Sequence, residues 1–256
     1  MNDHWTEPTS DNVRSACTEF DGWKDNPDPA LVRLFKTFPE NLKFEDVFLK
    51  VTALNATYST QIRAVSDRTP TIYDVARHII GLKIDDSLQL GSPEIVHKIA
   101  YIPVGNSKHQ FVYSFATKYC SWHQPDLYPI WDSRVDEYLW QLRGREANRA
   151  DGLRQFKRKE LWKYPTFKHV VTEFRDHFRL NDFSFKEIDK FLFVEGGKLF
   201  ARANARPVDE DSGEAVDKPW SEDGYDSEQE REESKKRFTD NEGWHVVRPK
   251  PEEELS

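Results

Sequence analysis

An all-α fold is what this sequence predicts, on three observations. Apolar residues recur at helical spacing in segment after segment, the mark of amphipathic helices. Val/Ile runs of the kind that build a buried parallel sheet are few. No glycine-rich phosphate loop and no internal repeat is visible.

Residues 1–28 are polar and broken by Asn26-Pro27 and Asp28-Pro29, and they read as an N-terminal arm, loosely ordered or packed. Pro29 suits the first position of a helix whose apolar side carries Leu31, Val32, Leu34 and Phe35. A stronger helix spans 42–58, with Leu42, Val47, Phe48, Val51 and Leu54, and ends in the polar cluster Asn55–Gln61. Residues 71–81 form a short amphipathic helix stopped by Gly81. Ser92-Pro93 starts another that runs to near Gly105.

The centre of the chain is Phe111–Asp136. Phe111, Val112, Phe115, Ala116 and Tyr119 give a buried helix, and Pro125 and Pro129 keep it from running on. Asp132 or Ser133 then caps a new helix carrying Val135, Tyr138 and Leu139. Lys118 and Asp132 thus fall on neighbouring elements joined by one loop. A lone helical lysine is ordinarily a snorkelling side chain, and an Asp after Pro-Ile-Trp is ordinarily an N-cap. A lysine among apolar neighbours is costly to bury while charged.

Beyond it, residues 140–163 cluster Arg143, Arg145, Arg149, Arg154, Lys157, Arg158, Lys159 and Lys163. Such a run is either a solvated helix face or a phosphate-tracking surface. Residues 165–180 are amphipathic, and Ser184–Glu187 has capping-box spacing before a helix that stops at Gly196-Gly197.

The run Ala116-Thr-Lys-Tyr-Cys120 followed by Tyr128-Pro-Ile-Trp-Asp-Ser-Arg-Val135 resembles the core of the helix-hairpin-helix DNA glycosylase superfamily, which includes the 8-oxoguanine glycosylases. The likeness extends over about residues 40–200. It implies a two-part helical bundle over 29–206 whose halves flank a cleft. Lys118 matches the family's nucleophile, and Pro129-Ile130-Trp131-Asp132 matches the turn that presents its aspartate. The family hairpin is close to Leu-Pro-Gly-Val-Gly, whereas this chain offers Ile102-Pro103-Val104-Gly105, with one glycine missing. A hairpin at 102–107 makes Lys108, at the start of the following helix, a rival nucleophile.

The resemblance further implies base excision from double-stranded DNA with the base flipped out of the stack. Tyr58, Ser59 and Gln61 then supply one wall of the base pocket, and Trp122 and His123 another. Gly105, Arg143, Arg145, Arg149, Arg154, Lys157 and Arg158 contact the backbone. A lysine Schiff base gives a glycosylase with AP lyase activity; Asp132 alone, with water, gives base removal only. The target is a repair lesion or a modified base of foreign DNA. Two other classes remain open: a non-catalytic nucleic-acid-binding module, and a protein-interaction factor that docks through its acidic tail.

Two cysteines, Cys17 and Cys120, rule out a disulfide framework and a four-cysteine metal or iron–sulfur site within one chain. The histidines show no metal spacing, so no metal and no cofactor is expected. The acidic N-terminus does not read as a signal peptide, and no window approaches a membrane span, which makes a cytoplasmic protein the expectation.

Charge is unevenly placed. Residues 207–256 hold 17 acidic and 7 basic side chains, a net of −10, while the first 206 hold 28 and 30, a net of +2. The tail has too few apolar residues to order itself and is expected to be disordered. A near-neutral body leaves DNA binding open despite the overall charge of −8. Removing 207–256 is therefore expected to tighten non-specific DNA binding at low salt and to leave the melting temperature unchanged. Tail repulsion acts only within a Debye length, about 10 Å at 0.1 M salt. Binding isotherms of full-length and truncated protein at two salt concentrations check this, and a large drop in melting temperature would show the tail to be packed.

Overall fold

The computed structural model describes residues 5–58, 60, 62, 70–104, 108–146, 153 and 156–204. The tail, and with it the expectation of disorder, lies outside them. The described residues are mostly helical. Ten α-helices follow in order among the described residues: α1 (Ser10–Asp21), α2 (Asp28–Thr37), α3 (Phe44–Tyr58), α4 (Ile72–Leu82), α5 (Asp85–Gln89), α6 (Glu94–Ala100), α7 (Tyr113–His123), α8 (Ser133–Glu146), α9 (Tyr164–His177) and α10 (Phe185–Asn204). A 3-10 turn spans Arg158–Trp162, and two strands, β1 (Tyr101–Val104) and β2 (Lys108–Phe111), lie between α6 and α7. No helix of the described residues is long and apolar enough to cross a membrane.

Helix α7 is the axis of the packing. Every residue from Tyr113 to Trp122 is buried. A helix buried all round belongs at the centre of a fold, where its neighbours contact it on every side. Helix α7 meets α2, α3 and α6. Helix α8 pairs with α10, and α1 packs on α10 in turn. The N-terminal arm therefore contains a helix of the core. Thr9 caps it, Val13 and Ala16 are buried, Trp5 stacks on Tyr138 at 4.5 Å, and Thr6 Oγ1 donates to Glu195 at 2.6 Å. The polar composition of 1–28 hides this because only a narrow stripe of α1 is apolar.

Three boundaries differ from the sequence reading. First, the helix after Ser92 ends at Ala100, and Tyr101 pairs with Phe111 and Val104 with Lys108 in an antiparallel ladder. Pro103 cannot continue a helix, and Tyr, Ile and Val around it favour an extended chain. Lys108 consequently stands on a strand, and no helix dipole acts on it as a nucleophile at a helix start. Second, α4 passes Gly81 and ends one residue later at Leu82, and its C-cap Lys83 takes the left-handed conformation at φ 50°.

Third, α10 runs through Gly196-Gly197 to Asn204. A Cβ on Gly196 would stand 2.0 Å from the carbonyl oxygen of Arg134 and 3.3 Å from Cβ of Tyr138. The glycine marks the closest approach of α10 to α8. Gly196→Ala is expected to force the two helices apart and to destabilise the protein by about 1–3 kcal/mol or more. Gly81→Ala, with open space around it, serves as the matched control in chemical denaturation.

Candidate active site

The turn Pro129–Asp132 crosses the core without secondary structure, so each of its backbone polar groups needs a partner. Side chains of three helices supply them. Tyr164, at the start of α9, donates its hydroxyl to the Pro129 carbonyl at 3.0 Å. Asp189 of α10 accepts the Ile130 N–H with both carboxylate oxygens, at 3.0 and 3.1 Å. Thr117 of α7 accepts the Trp131 N–H and reaches the Trp131 carbonyl, both at 3.2 Å. The turn is thereby bound to the helix that carries Lys118.

Asp132 closes the turn as the N-cap of α8. Its Oδ1 accepts the N–H groups of Arg134 and Val135, each at 3.0 Å. This leaves Oδ2 directed at Lys118, 3.8 Å from Nζ. Lys118 is 4% exposed, and its amine donates to Ser114 Oγ, one turn earlier on α7, at 2.6 Å. The amine also stands 5.3 Å from the ring centroid of Tyr58, the last residue of α3. Burial holds the Lys118 pKa below the ordinary lysine value, and the carboxylates of Asp132 and Asp189 oppose that shift. A desolvated amine drawn toward its neutral form, beside an oriented carboxylate, has the composition of a nucleophile and its charge-stabilising partner.

An aromatic wall adjoins the amine. Trp122, four residues beyond Lys118 on the same helix face, donates Nε1–H to the Tyr58 hydroxyl at 3.1 Å. Lys186, in the first turn of α10, places Nζ 4.0 Å from the Trp122 ring centroid. Lys186 is paired with Asp28, whose Oδ2 is 3.5 Å away. Burial lowers the Lys186 pKa, against the pull of Asp28 and Asp189, and raises that of Asp189 well above the usual carboxylate range, against the pull of Lys186. Among the described residues no cluster of His, Cys, Asp and Glu could hold a metal ion.

Of the residues that the sequence singled out, Lys118, Asp132, Tyr58 and Trp122 come together here. His123 does not. It lies five residues from Lys118, on another side of α7, and packs on Phe35 and Tyr119 at 4.9 and 5.0 Å. Its Nε2 is 3.3 Å from the buried amine of Lys50. That second buried lysine donates to the carbonyls of Phe38 and Glu40 and to Asn41 Oδ1, at 3.0, 2.8 and 2.8 Å, and so ties down the loop after α2. Arg158 likewise turns to partners within the protein. It is half-buried and pairs with Asp136 and Glu137 at 2.7 Å each. Arg143 and Arg145 lie over Trp140 and Trp5, each 4.5 Å from the ring centroid, and Lys157 is exposed. Lys108 stands on β2, away from any helix start. Ser59, Gln61, Gly105, Arg149 and Arg154 lie outside the described residues.

The sequence reading missed Ser114, Thr117, Asp28, Lys186 and Asp189. A signal existed for the α7 pair. Ser114, Thr117, Lys118 and Ser121 form a polar stripe at helical spacing on an otherwise apolar helix. Asp189 stands among Phe185, Ile188, Phe191 and Leu192 in the same way. Asp28 sat inside what reads as a chain break.

Comparison with known proteins places the chain in a lineage. A protein of Haemophilus influenzae, described as an uncharacterized protein, is 36% identical over 160 residues, which span 62% of this chain and 70% of that protein. The chain belongs to the family of that protein. The model of the HI_0787_N family, described as an N-terminal domain, matches residues 12–127. This family segment ends between Lys118 and Asp132. It includes Asp28, Lys50, Tyr58, Lys118 and Trp122, whereas the turn, Lys186 and Asp189 follow it. No solved structure matches the chain.

Thr117→Val tests the clamp. It keeps the shape of the side chain and deprives the buried Trp131 N–H and C=O of their partner. Destabilisation of about 2–4 kcal/mol is expected, since each unsatisfied buried group costs roughly 1–3 kcal/mol. Thr117→Ser should recover most of it in urea denaturation.

Proposed function

We propose that this protein is a DNA glycosylase of the helix-hairpin-helix type, removing a damaged or modified base and cleaving the abasic strand through a lysine Schiff base. One observation carries the reading: a buried amine, Lys118, 3.8 Å from a carboxylate whose other oxygen is fixed as a helix cap. The target base leaves the stack and enters beside Tyr58 and Trp122. The neutral Lys118 amine attacks the sugar C1′, the bond from C1′ to the base breaks, and the base departs with the bonding pair and takes up a proton. Asp132 offsets the positive charge that develops on the sugar and receives a proton from the nitrogen. Opening of the sugar ring gives the Schiff base, from which the 3′ phosphate is eliminated. Arg143, Arg145 and Lys157 contribute to phosphate contact; Arg158, already neutralised by two carboxylates, does not.

The ladder of β1 and β2, in place of a glycine-rich hairpin, favours a second reading. A hairpin of this kind donates its backbone N–H groups across the ladder, not to a phosphate. A non-catalytic nucleic-acid-binding module built on the same core fits that feature.

Borohydride trapping on abasic duplex DNA separates the two. Wild type is expected to form a covalent adduct, and Lys118→Gln to form none. Lys108→Gln should trap like wild type, because its backbone lies in the strand ladder. Asp132→Asn keeps the cap, since Asn caps about as well as Asp, and should lose at least about a hundredfold in base release with a melting temperature near wild type. Loss of the adduct only in Lys108→Gln would move the nucleophile to the hairpin. Absence of both adduct and base release in wild type would favour the binding module.

A further inference from the structure

The ion pair of Asp28 and Lys186 adjoins the proposed reaction centre, and the chemistry of base removal does not use it. Asp28 is 8% exposed. Its Oδ2 faces Lys186 at 3.5 Å, while Oδ1 is buried and accepts no hydrogen bond from the described residues. A buried carboxylate oxygen without a donor is costly, and a native structure retains one where something else supplies the donor. The pair is also continuous with Lys118. Lys186 lies on the Trp122 ring, Trp122 bonds Tyr58, and Tyr58 stands against the Lys118 amine.

We propose that Asp28 and Lys186 form the base-reading edge of this site, taking a flipped base whose lactam edge presents a ring N–H beside a carbonyl oxygen. The proposal rests on the glycosylase reading above and adds the class of base. A carboxylate only accepts and an ammonium only donates, so the pair reads a donor next to an acceptor. In a lactam base of the guanine, hypoxanthine or uracil type, the ring N–H is a stronger donor than the exocyclic amine of adenine or cytosine. Its carbonyl oxygen is also the better partner for an ammonium, and both bonds are charge-assisted. Trp122 supplies the stacking face. The Lys186 amine lies over that face, and its four-carbon stem has the freedom to swing it to the rim as a base slides in.

An abasic strand has no base to read, which separates recognition from chemistry. Asp28→Asn and Lys186→Met are expected to release the base about 10–100-fold more slowly than wild type, the range for a lost charged hydrogen bond. Both should trap abasic DNA with borohydride within about threefold of wild type. Base release at the wild-type rate, or an equal fall in release and trapping, overturns the proposal. A titration of the wild-type protein with 9-methylhypoxanthine, 1-methyluracil, 9-methyladenine and 1-methylcytosine, in which a methyl group stands for the sugar, followed by calorimetry, does not depend on either variant folding or on catalysis. The two lactam bases are expected to bind at least about tenfold more tightly, a preference worth one charged bond. No preference overturns the assignment. A lactam preference lost in Asp28→Asn, together with a wild type that neither traps nor releases, sinks the glycosylase reading and leaves the base-reading edge standing.

Discussion

A helix buried on every side cannot send a polar side chain to water, and this constraint on α7 governs the site. Its four buried polar residues must find partners inside. Thr117 finds them on the backbone of the 129–132 turn, and Lys118 finds Ser114 and the carboxylate of Asp132. The turn can sit in one place only, because Tyr164 and Asp189 close its remaining backbone groups from two other helices. The spacing of Lys118 and Asp132 therefore follows from satisfying hydrogen bonds in a dry interior, and any reaction they perform uses a geometry that stability already enforces.

The two buried lysines among the described residues show how partners decide roles. Lys50 is surrounded by three oxygen acceptors, and its side chain is as fixed as a backbone element. Burial draws its pKa down to about 8, with Asp85 and Asp46 opposing. Lys118 has one hydroxyl at bonding distance and a carboxylate at 3.8 Å. Its environment penalises the ammonium without saturating it. The same residue type on neighbouring helices thus serves as a loop anchor in one case and stands as a desolvated amine beside a carboxylate in the other.

Close helix contact brings Lys186 and Asp189 to the site. Gly196 lets α10 lie against α8 at backbone distance. That approach carries Lys186 and Asp189, both near the start of α10, toward α7. The N-terminal α1 then covers α10, with Trp5 and Thr6 bonding Tyr138 and Glu195 across more than 130 residues of sequence. Such contacts have high sequence separation and leave no local trace in the chain.

Helical periodicity, proline breaks and caps are local, and they were enough to place most helices, the turn at 129–132 and Lys118 and Asp132 on neighbouring elements; that the two face each other was what the family resemblance implied. Where local rules compete, the sequence alone misleads. Gly196-Gly197 reads as a stop and is instead a contact surface; Ile102-Pro103-Val104 reads as the end of a helix and is a strand. The partners of Arg158, the side of α7 on which His123 falls, and the convergence of Asp28, Lys186 and Asp189 on Lys118 were decided by tertiary structure. A side chain's chemistry is set by which other elements come within hydrogen-bond distance. That depends on how helices far apart in the chain pack, a quantity that no window of sequence contains.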